Sequence, residues 1–131
     1  MTGRKDFDGL AELAALHFRA AQAEMAGILA RETRLRQNLA QLIESKQNQA
    51  QAPRQSGDTA LVAGADIRWN QWVDQRRAII NAELAQVLAL KEGSRAKLKK
   101  AFGRDRVTQA LQANAIAKQM RGRRRREAYE S

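Results

Sequence analysis

An apolar repeat with the period of a coiled coil occupies the first third of the chain. Eleven positions, spaced alternately by four and three residues, are apolar at every site except Glu32. They are Phe7, Ala11, Ala14, Phe18, Ala21, Met25, Ile28, Glu32, Leu35, Leu39 and Leu42. This spacing is typical of a helix that packs against another helix, and it predicts a helix over about residues 6–51. We expect Leu10, Leu13, Leu16 and Leu29 to widen the apolar stripe, and Glu32 to lie at its edge with the carboxylate in water.

A second helical stretch follows a break in this pattern. Pro53 cannot continue a helix, and turn-forming residues follow it at 56–58, so we place a bend at about residues 52–58. The second helix is predicted over about residues 59–121. Its core positions, spaced by seven, four and three residues, are Val73, Ile80, Leu84 and Val87. Polar residues crowd the seam between 93 and 100, and we expect weaker packing there.

The two stretches predict an all-α fold, a long two-helix antiparallel coiled-coil hairpin that forms a single domain over residues 1–131. Residues 122–131 are expected to form a basic tail. Because a helix rises about 1.5 Å per residue, the second helix should be the longer one, and its basic last turns should project beyond the first. Aromatic residues make up only 5% of the chain, a composition that suits a thin seam between helices better than a thick globular core.

Positive charge is concentrated in the last third of the chain. The formal net charge is +10. Residues 91–131 hold thirteen Lys and Arg against four Asp and Glu, whereas residues 1–90 hold eleven against ten. Such an asymmetric charge predicts an acidic partner for the C-terminal third. The absence of cysteine excludes disulfides, and neither a secretory signal nor an apolar membrane span is recognisable, so we expect a cytoplasmic protein.

The sequence carries no recognisable catalytic constellation. Phosphate-binding glycine loops are missing, and His17 has no second histidine or cysteine with which to share a metal. The N-terminal acidic residues Asp6, Asp8 and Glu12 fit the positive end of a helix dipole better than paired-carboxylate chemistry. We therefore predict that the protein is not an enzyme and uses neither a cofactor nor a metal.

The candidate partner-binding residues are basic side chains on the second helix and two tryptophans. The basic set comprises Lys97, Lys99, Lys100, Arg104, Arg106, Arg121, Arg123, Arg124, Arg125 and Arg126. The arginine run is either a solvated, frayed tail or a docking element for an acidic surface. Trp69 and Trp72 share a helix face, where they either anchor the seam near the bend or leave one ring exposed for a protein contact.

The segment RWNQWVDQRRAIINAELAQVLALKEGSRAKLKKAFGR (Arg68 to Arg104), placed between a heptad helix and an arginine-rich tail, resembles the FliJ/YscO family. These proteins are small coiled-coil components of flagellar and related type III protein export machines. The resemblance implies a stalk whose terminal end inserts into a hexameric export ATPase and whose middle or bend touches the cytoplasmic domain of the export gate, a membrane protein. It also implies contact with export chaperones and a location at the inner membrane, peripheral to the export apparatus.

Two alternatives follow from the residues themselves. The basic third could bind nucleic acid without sequence preference, although Tyr129 is the only aromatic residue near the arginine run. The seam could instead open and pair between chains, which would make the protein a self-assembling coiled-coil scaffold.

Overall fold

The computed structural model describes residues 3–51 and 59–130, and all of these are helical. Helix α1 spans Gly3–Gln51 and helix α2 spans Thr59–Glu130. The predicted all-α fold of two long helices packed against each other is confirmed. The bend predicted at 52–58 lies outside the described residues.

The helices are longer than the sequence pattern indicates. Helix α1 begins at Gly3 instead of residue 6, and α2 runs on to Glu130 instead of ending at Arg121. The basic tail predicted at 122–131 is therefore helical as far as Glu130. Arginine, glutamate and alanine all favour helix, and the single Gly122, at a cost of about 1 kcal/mol relative to Ala, does not end it.

The residues fall into two compact units, each built from a segment of α1 and a segment of α2. Unit 1 comprises Met1–Ala26 and Gly93–Ser131, and unit 2 comprises Gly27–Glu92. The heptad pattern alone did not indicate this division.

Unit 2 holds the cluster of large apolar side chains. Six of them are buried: Leu35, Leu42, Val73, Ile80, Leu84 and Val87. Ile28, Leu39 and Trp69 pack against this cluster and are partly buried. Burial of a full aliphatic side chain contributes roughly 1.5–3 kcal/mol, so this cluster is a main source of the stability of unit 2. Its four residues on α2 are the core positions that the sequence predicted.

Unit 1 has a seam of small residues. Its buried apolar residues are the alanines at 11, 14, 21 and 101. Ser94 and Asp105 are buried in the same unit. An aromatic contact joins the two helices of this unit: the rings of Phe18, which is half-buried, and Phe102, which is exposed, have centroids 5.5 Å apart.

Contacts in both units show that the helices run antiparallel. In unit 2, Lys46 pairs with Asp74 and Glu32 with Lys91. In unit 1, Glu24 pairs with Lys97, and Asp8 accepts a hydrogen bond from Gln112. In each unit the residue number rises on α1 as it falls on α2.

The buried positions define one heptad register for each helix. On α1 the a and d positions include Ala11 and Ala14, and on α2 they include Leu84 and Val87. In this register Glu24 and Lys97 are both g positions, so the contact between them places the two g rows side by side. Positions c flank the g rows. We call this surface of unit 1 the g side, and the surface on the other flank of the seam, formed by e and b positions, the e side.

The eleven predicted seam positions of α1 are all buried or half-buried, but the predicted widening of the seam is wrong. Leu10, Leu13, Leu16 and Leu29 are exposed because they occupy g, c, f and e positions. A single partner helix covers only the a and d rows, so these leucines stay in contact with solvent.

Glu32 is also placed differently from expectation. It is 8% exposed, and its carboxylate is held by two cations instead of facing water. Lys91 Nζ lies 3.1 Å from Oε2, and Arg36 Nη2 lies 3.1 Å from Oε1. The hydrogen bonds from Lys91 and then from Arg36 hold the pKa of Glu32 below its ordinary value.

Candidate functional site

A shallow groove on the g side of unit 1 brings together three of the predicted basic residues. Lys97, Lys100 and Arg104 line it along α2, and buried Ala14, Ala21 and Ala101 also line it. The groove encloses about 320 Å³. The alanine side chains at the seam are too small to fill the space between the two helices, which produces the groove. The longer basic side chains line its edge.

The positive charge of this groove is only partly compensated. Glu24 lies 3.7 Å from Lys97, and both side chains are well exposed, so that pair contributes little to stability. The side chains of Lys100 and Arg104 form neither a hydrogen bond nor an ion pair with any described residue. They are four residues apart on one helix, a spacing at which like charges repel by about 0.2–0.5 kcal/mol. His17 occupies a g position on α1 and also lines the groove.

The other two predicted residues in this part of α2 lie on the e side. Lys99 lines a separate cleft with Phe18 and Phe102. The guanidinium of Arg106 lies 5.1 Å from the centroid of the Phe102 ring, a cation–π contact that covers this exposed aromatic side chain. The five basic residues between 97 and 106 therefore form two surfaces and not one.

The arginine run from 121 to 126 is part of helix α2. At about 100° per residue, its five arginines point in different directions around the helix axis. Arg126 Nε donates to the carbonyl of Gly122, 3.4 Å away, and Arg126 lines a cleft that also contains Gly3 and Arg4. Arg4 in turn donates to Gln119 at 3.0 Å. The run therefore follows the level at which the described part of α1 begins, and the Arg126 side chain reaches back to the cleft beside Gly3 and Arg4. That the run projects beyond α1 stays a prediction.

The two tryptophans of unit 2 stack on each other. Their ring centroids are 5.2 Å apart with an interplanar angle of 23°. Trp69 is half-buried against the apolar cluster, while Trp72 is 50% exposed. One ring therefore packs on the seam and the other is exposed to solvent, and a protein contact through Trp72 stays a prediction.

An apolar patch on the g side of unit 1 was missed as a site by the reasoning from sequence. Its members are exposed by 39% to 59%, and they are Leu10, Leu13, Val107 and Leu111. Asp8 bonds Gln112 and Phe18 meets Phe102, so residues 8–18 face residues 102–112. Leu10 and Leu111 are both g positions, and Leu13 and Val107 are both c positions. The signal in the sequence is a leucine or valine that falls outside the a and d rows on both helices.

Within residues 3–51 and 59–130, no group of three or more His, Cys, Asp or Glu side chains is arranged to hold a metal ion. Over the same residues, neither helix offers an apolar stretch long enough to span a membrane. The fold and surfaces define the class as an antiparallel two-helix coiled-coil protein with exposed basic and apolar side chains. No protein-family model, curated protein or solved structure matches the chain.

Proposed function

We propose that this protein is a non-enzymatic stalk or coupling component of a flagellar-type (type III) protein export apparatus. In this role it binds and stimulates the hexameric export ATPase and contacts the cytoplasmic domain of the export gate, with export chaperones as further partners. The protein would act in the cytoplasm, peripheral to the inner membrane. The proposal rests on the resemblance of residues 68–104 to the FliJ/YscO family and on the charge distribution of α2.

The observation that carries the proposal is the helical arginine run. Arg121, Arg123, Arg124, Arg125 and Arg126 lie in one uninterrupted helix and point to several sides of it. A flat acidic surface can meet only some of these side chains at once. A partner that surrounds this end of the protein, such as the pore of a ring, can meet more of them, and charge attraction would speed the encounter.

The decisive experiment mixes the protein with the hexameric export ATPase of its own organism. We expect ATP turnover and the hexameric fraction to rise, and the effect to weaken as salt increases. Replacing the five arginines of the run by glutamine should abolish stimulation. The matched control replaces five arginines of unit 2, namely Arg31, Arg34, Arg68, Arg76 and Arg77, by glutamine, which removes the same charge.

The control variant should stimulate like the wild type. If folded wild-type protein changes neither turnover nor assembly at low salt, the export role is wrong. If both five-arginine variants lose the effect equally, net charge accounts for it and the arginine run has no special role.

The gate contact is the second part of the proposal. Trp72 is the exposed member of the stacked pair, and exposed tryptophans are enriched among residues that dominate protein interfaces. Trp72→Ala should weaken binding to the cytoplasmic domain of the gate about tenfold or more. Ile79→Ala, a similarly exposed residue on the same helix, is the control. Equal affinities of the two variants would remove Trp72 from the contact.

Nucleic-acid binding is the alternative that the same arginine run favours. It requires that log affinity for duplex DNA fall steeply and linearly with log salt concentration, since each neutralised phosphate releases counterions. A flat titration at moderate salt would eliminate it. A steep slope combined with no response of the ATPase would reverse the order of the two candidates.

A further inference from the structure

The g side of unit 1 combines two features that are only partly satisfied within the chain. One is the apolar patch of Leu10, Leu13, Val107 and Leu111, and the other is the basic groove lined by Lys97, Lys100 and Arg104. Both belong to the g and c rows of the same helix pair, so they follow each other along one surface. We propose that this surface binds an acidic amphipathic helix of another protein, which would pack as a third helix against unit 1.

The apolar patch supplies the contact for a helix. Leu10 and Leu111 occupy the two g rows that lie side by side, and Leu13 and Val107 flank them at c positions. The two g rows border the groove between α1 and α2 and stay exposed there, so a helix laid into this groove would contact both leucines. A ridge of apolar residues spaced by three and four positions would cover all four side chains.

Charge determines which kind of helix fits. The described g and c positions of unit 1 carry six basic residues and two acidic ones. The basic residues are Lys97, Lys100, Arg104, Lys118, Arg121 and Arg125, and the acidic ones are Asp6 and Glu24. Lys100 and Arg104 repel each other and form no ion pair with a described residue. Carboxylates on the flank of an incoming helix would relieve this repulsion.

The same charge argues against two other occupants. A second copy of the chain would bring its own basic g side against this one, with a net charge of +10 on each molecule. Nucleic acid would satisfy the cations but would leave four aliphatic side chains in contact with water or with phosphates. An acidic helix satisfies both the apolar patch and the cations.

The e side lacks this combination. Its exposed ring, Phe102, is already covered by Arg106, and Arg95 is engaged in an interaction within the chain. Asp8 on that side is bonded to Gln112 at 2.6 Å. Two basic residues at exposed b positions, Lys5 and Lys99, form no side-chain hydrogen bond or ion pair with a described residue, and they serve as controls.

The test uses the full chain and a synthetic three-heptad peptide. The peptide carries leucine at two positions of each heptad, glutamate on both flanks and a fluorescent label, and binding is followed by anisotropy. The glutamates repel each other and keep the free peptide monomeric. We expect saturable binding at about 0.1 M salt that weakens at about 1 M, and no binding of a peptide with lysine in place of glutamate.

Two double variants separate the two halves of the surface. Lys100→Glu with Arg104→Glu should weaken peptide binding about tenfold or more, and so should Leu13→Gln with Leu111→Gln. The control for charge is Lys5→Glu with Lys99→Glu, which changes the net charge equally, and the control for apolar loss is Leu16→Gln at an exposed f position. Both controls should bind the peptide like the wild type. All substituted positions are exposed, and far-UV circular dichroism confirms that each variant folds.

Several outcomes would overturn the inference. One is a wild-type protein that does not bind the acidic peptide, and another is binding that the g-side and control variants retain equally. A third is a wild-type dimer in sedimentation that Leu13→Gln with Leu111→Gln converts to a monomer, since the occupant would then be a second copy. A fourth is duplex DNA that binds the wild type, and fails to bind the Lys100 and Arg104 variant, while the peptide does not bind at all. The inference is independent of the export role, because the probe contains neither the ATPase nor the gate.

Discussion

Units 1 and 2 use the same heptad spacing with opposite choices of side chain. In unit 2 the a and d rows hold leucine, isoleucine and valine, and Val73 and Val87 are fully buried. In unit 1 the buried apolar residues of the same rows are the alanines at 11, 14, 21 and 101. Both units also expose large apolar side chains, such as Leu13 in unit 1 and Ile79 in unit 2. The difference indicates that unit 2 draws more stability from its seam than unit 1 does.

Buried polar groups also indicate that the seam of unit 2 is the more stable of the two. In unit 2, Glu32 is satisfied by hydrogen bonds from Lys91 and Arg36. In unit 1, the Ser94 hydroxyl and one carboxylate oxygen of Asp105 are buried without a partner among the described residues, and in unit 2 the indole N–H of Trp69 is buried in the same way. An unsatisfied buried polar group costs about 1–3 kcal/mol, so unit 1, with two such groups in its seam, has the weaker seam.

The largest effect should come from truncating the core of unit 2. Ile80 is 4% exposed and its neighbour Ile79 is 49% exposed, which makes them a matched pair on one helix. Ile80→Ala should lower the free energy of unfolding by about 2–5 kcal/mol, because it removes buried methylenes and leaves a cavity. Ile79→Ala should change it by less than about 0.5 kcal/mol. Urea denaturation monitored by circular dichroism measures both.

The counterpart in unit 1 is Leu13→Ala, at an exposed c position. We expect a loss below about 0.5 kcal/mol, because little apolar surface is removed from the interior. A loss as large as that of Ile80→Ala would show that the exposed leucines stabilise unit 1 and are not reserved for a partner.

The next largest effect concerns the small residues in the seam of unit 1. Ala101 is buried at a d position of this seam. Ala101→Leu should destabilise the protein by about 1–3 kcal/mol, because the added methylenes force the helices apart. Ala113→Leu, at an exposed b position, should be neutral. A stabilised Ala101→Leu variant would mean that the alanines leave the seam of unit 1 incompletely packed. Units 1 and 2 would then differ in how well their seams are filled.

The apolar repeat made unit 2 and the α1 half of unit 1 predictable. All four core positions proposed for α2 are buried, because large apolar residues at heptad spacing leave little choice of face. The α2 half of unit 1 was not predictable in this way. Its buried seam positions are Ser94, Ala101 and Asp105, and polar or small residues do not reveal which face is inside.

The same ambiguity explains what was missed at the candidate site. Leu10, Val107 and Leu111 look like core residues when each helix is considered alone. Only the pairing of Glu24 with Lys97, and the g-to-g contact it establishes, shows that they share one exposed surface. Basic residues were identified correctly as surface groups, but their division between the g side and the e side depends on helix phase, which charge does not encode.

A smaller effect is expected from the glycines in the α2 segment of unit 1. A Cβ added at Gly103 or at Gly93 would have nothing within 4 Å of it in the described structure. Gly103→Ala should therefore stabilise the protein by about 1 kcal/mol through helix propensity alone, and Gly93→Ala by a similar amount. Thermal unfolding measures both. A destabilised variant at either position would show that unit 1 needs local flexibility or a close contact that the free chain does not make.

The smallest effect should be the pH dependence that Glu32 adds to unit 2. Its pKa is lowered in the folded state, first by the hydrogen bond from Lys91 and then by that from Arg36. The resulting stabilisation is fully present above the ordinary pKa of 4.5 and is lost as pH falls through the lower folded value. The melting temperature of the wild type should therefore fall more between pH 7 and pH 3 than that of Glu32→Gln.

The charge exchange Glu32→Lys with Lys91→Glu should restore the acid dependence that Glu32→Lys alone removes, since the same two positions again carry opposite charges. If Glu32→Gln shows the same acid transition as the wild type, the ion pair has no effect on stability. The buried polar groups of units 1 and 2 would then differ in geometry but not in their contribution to stability.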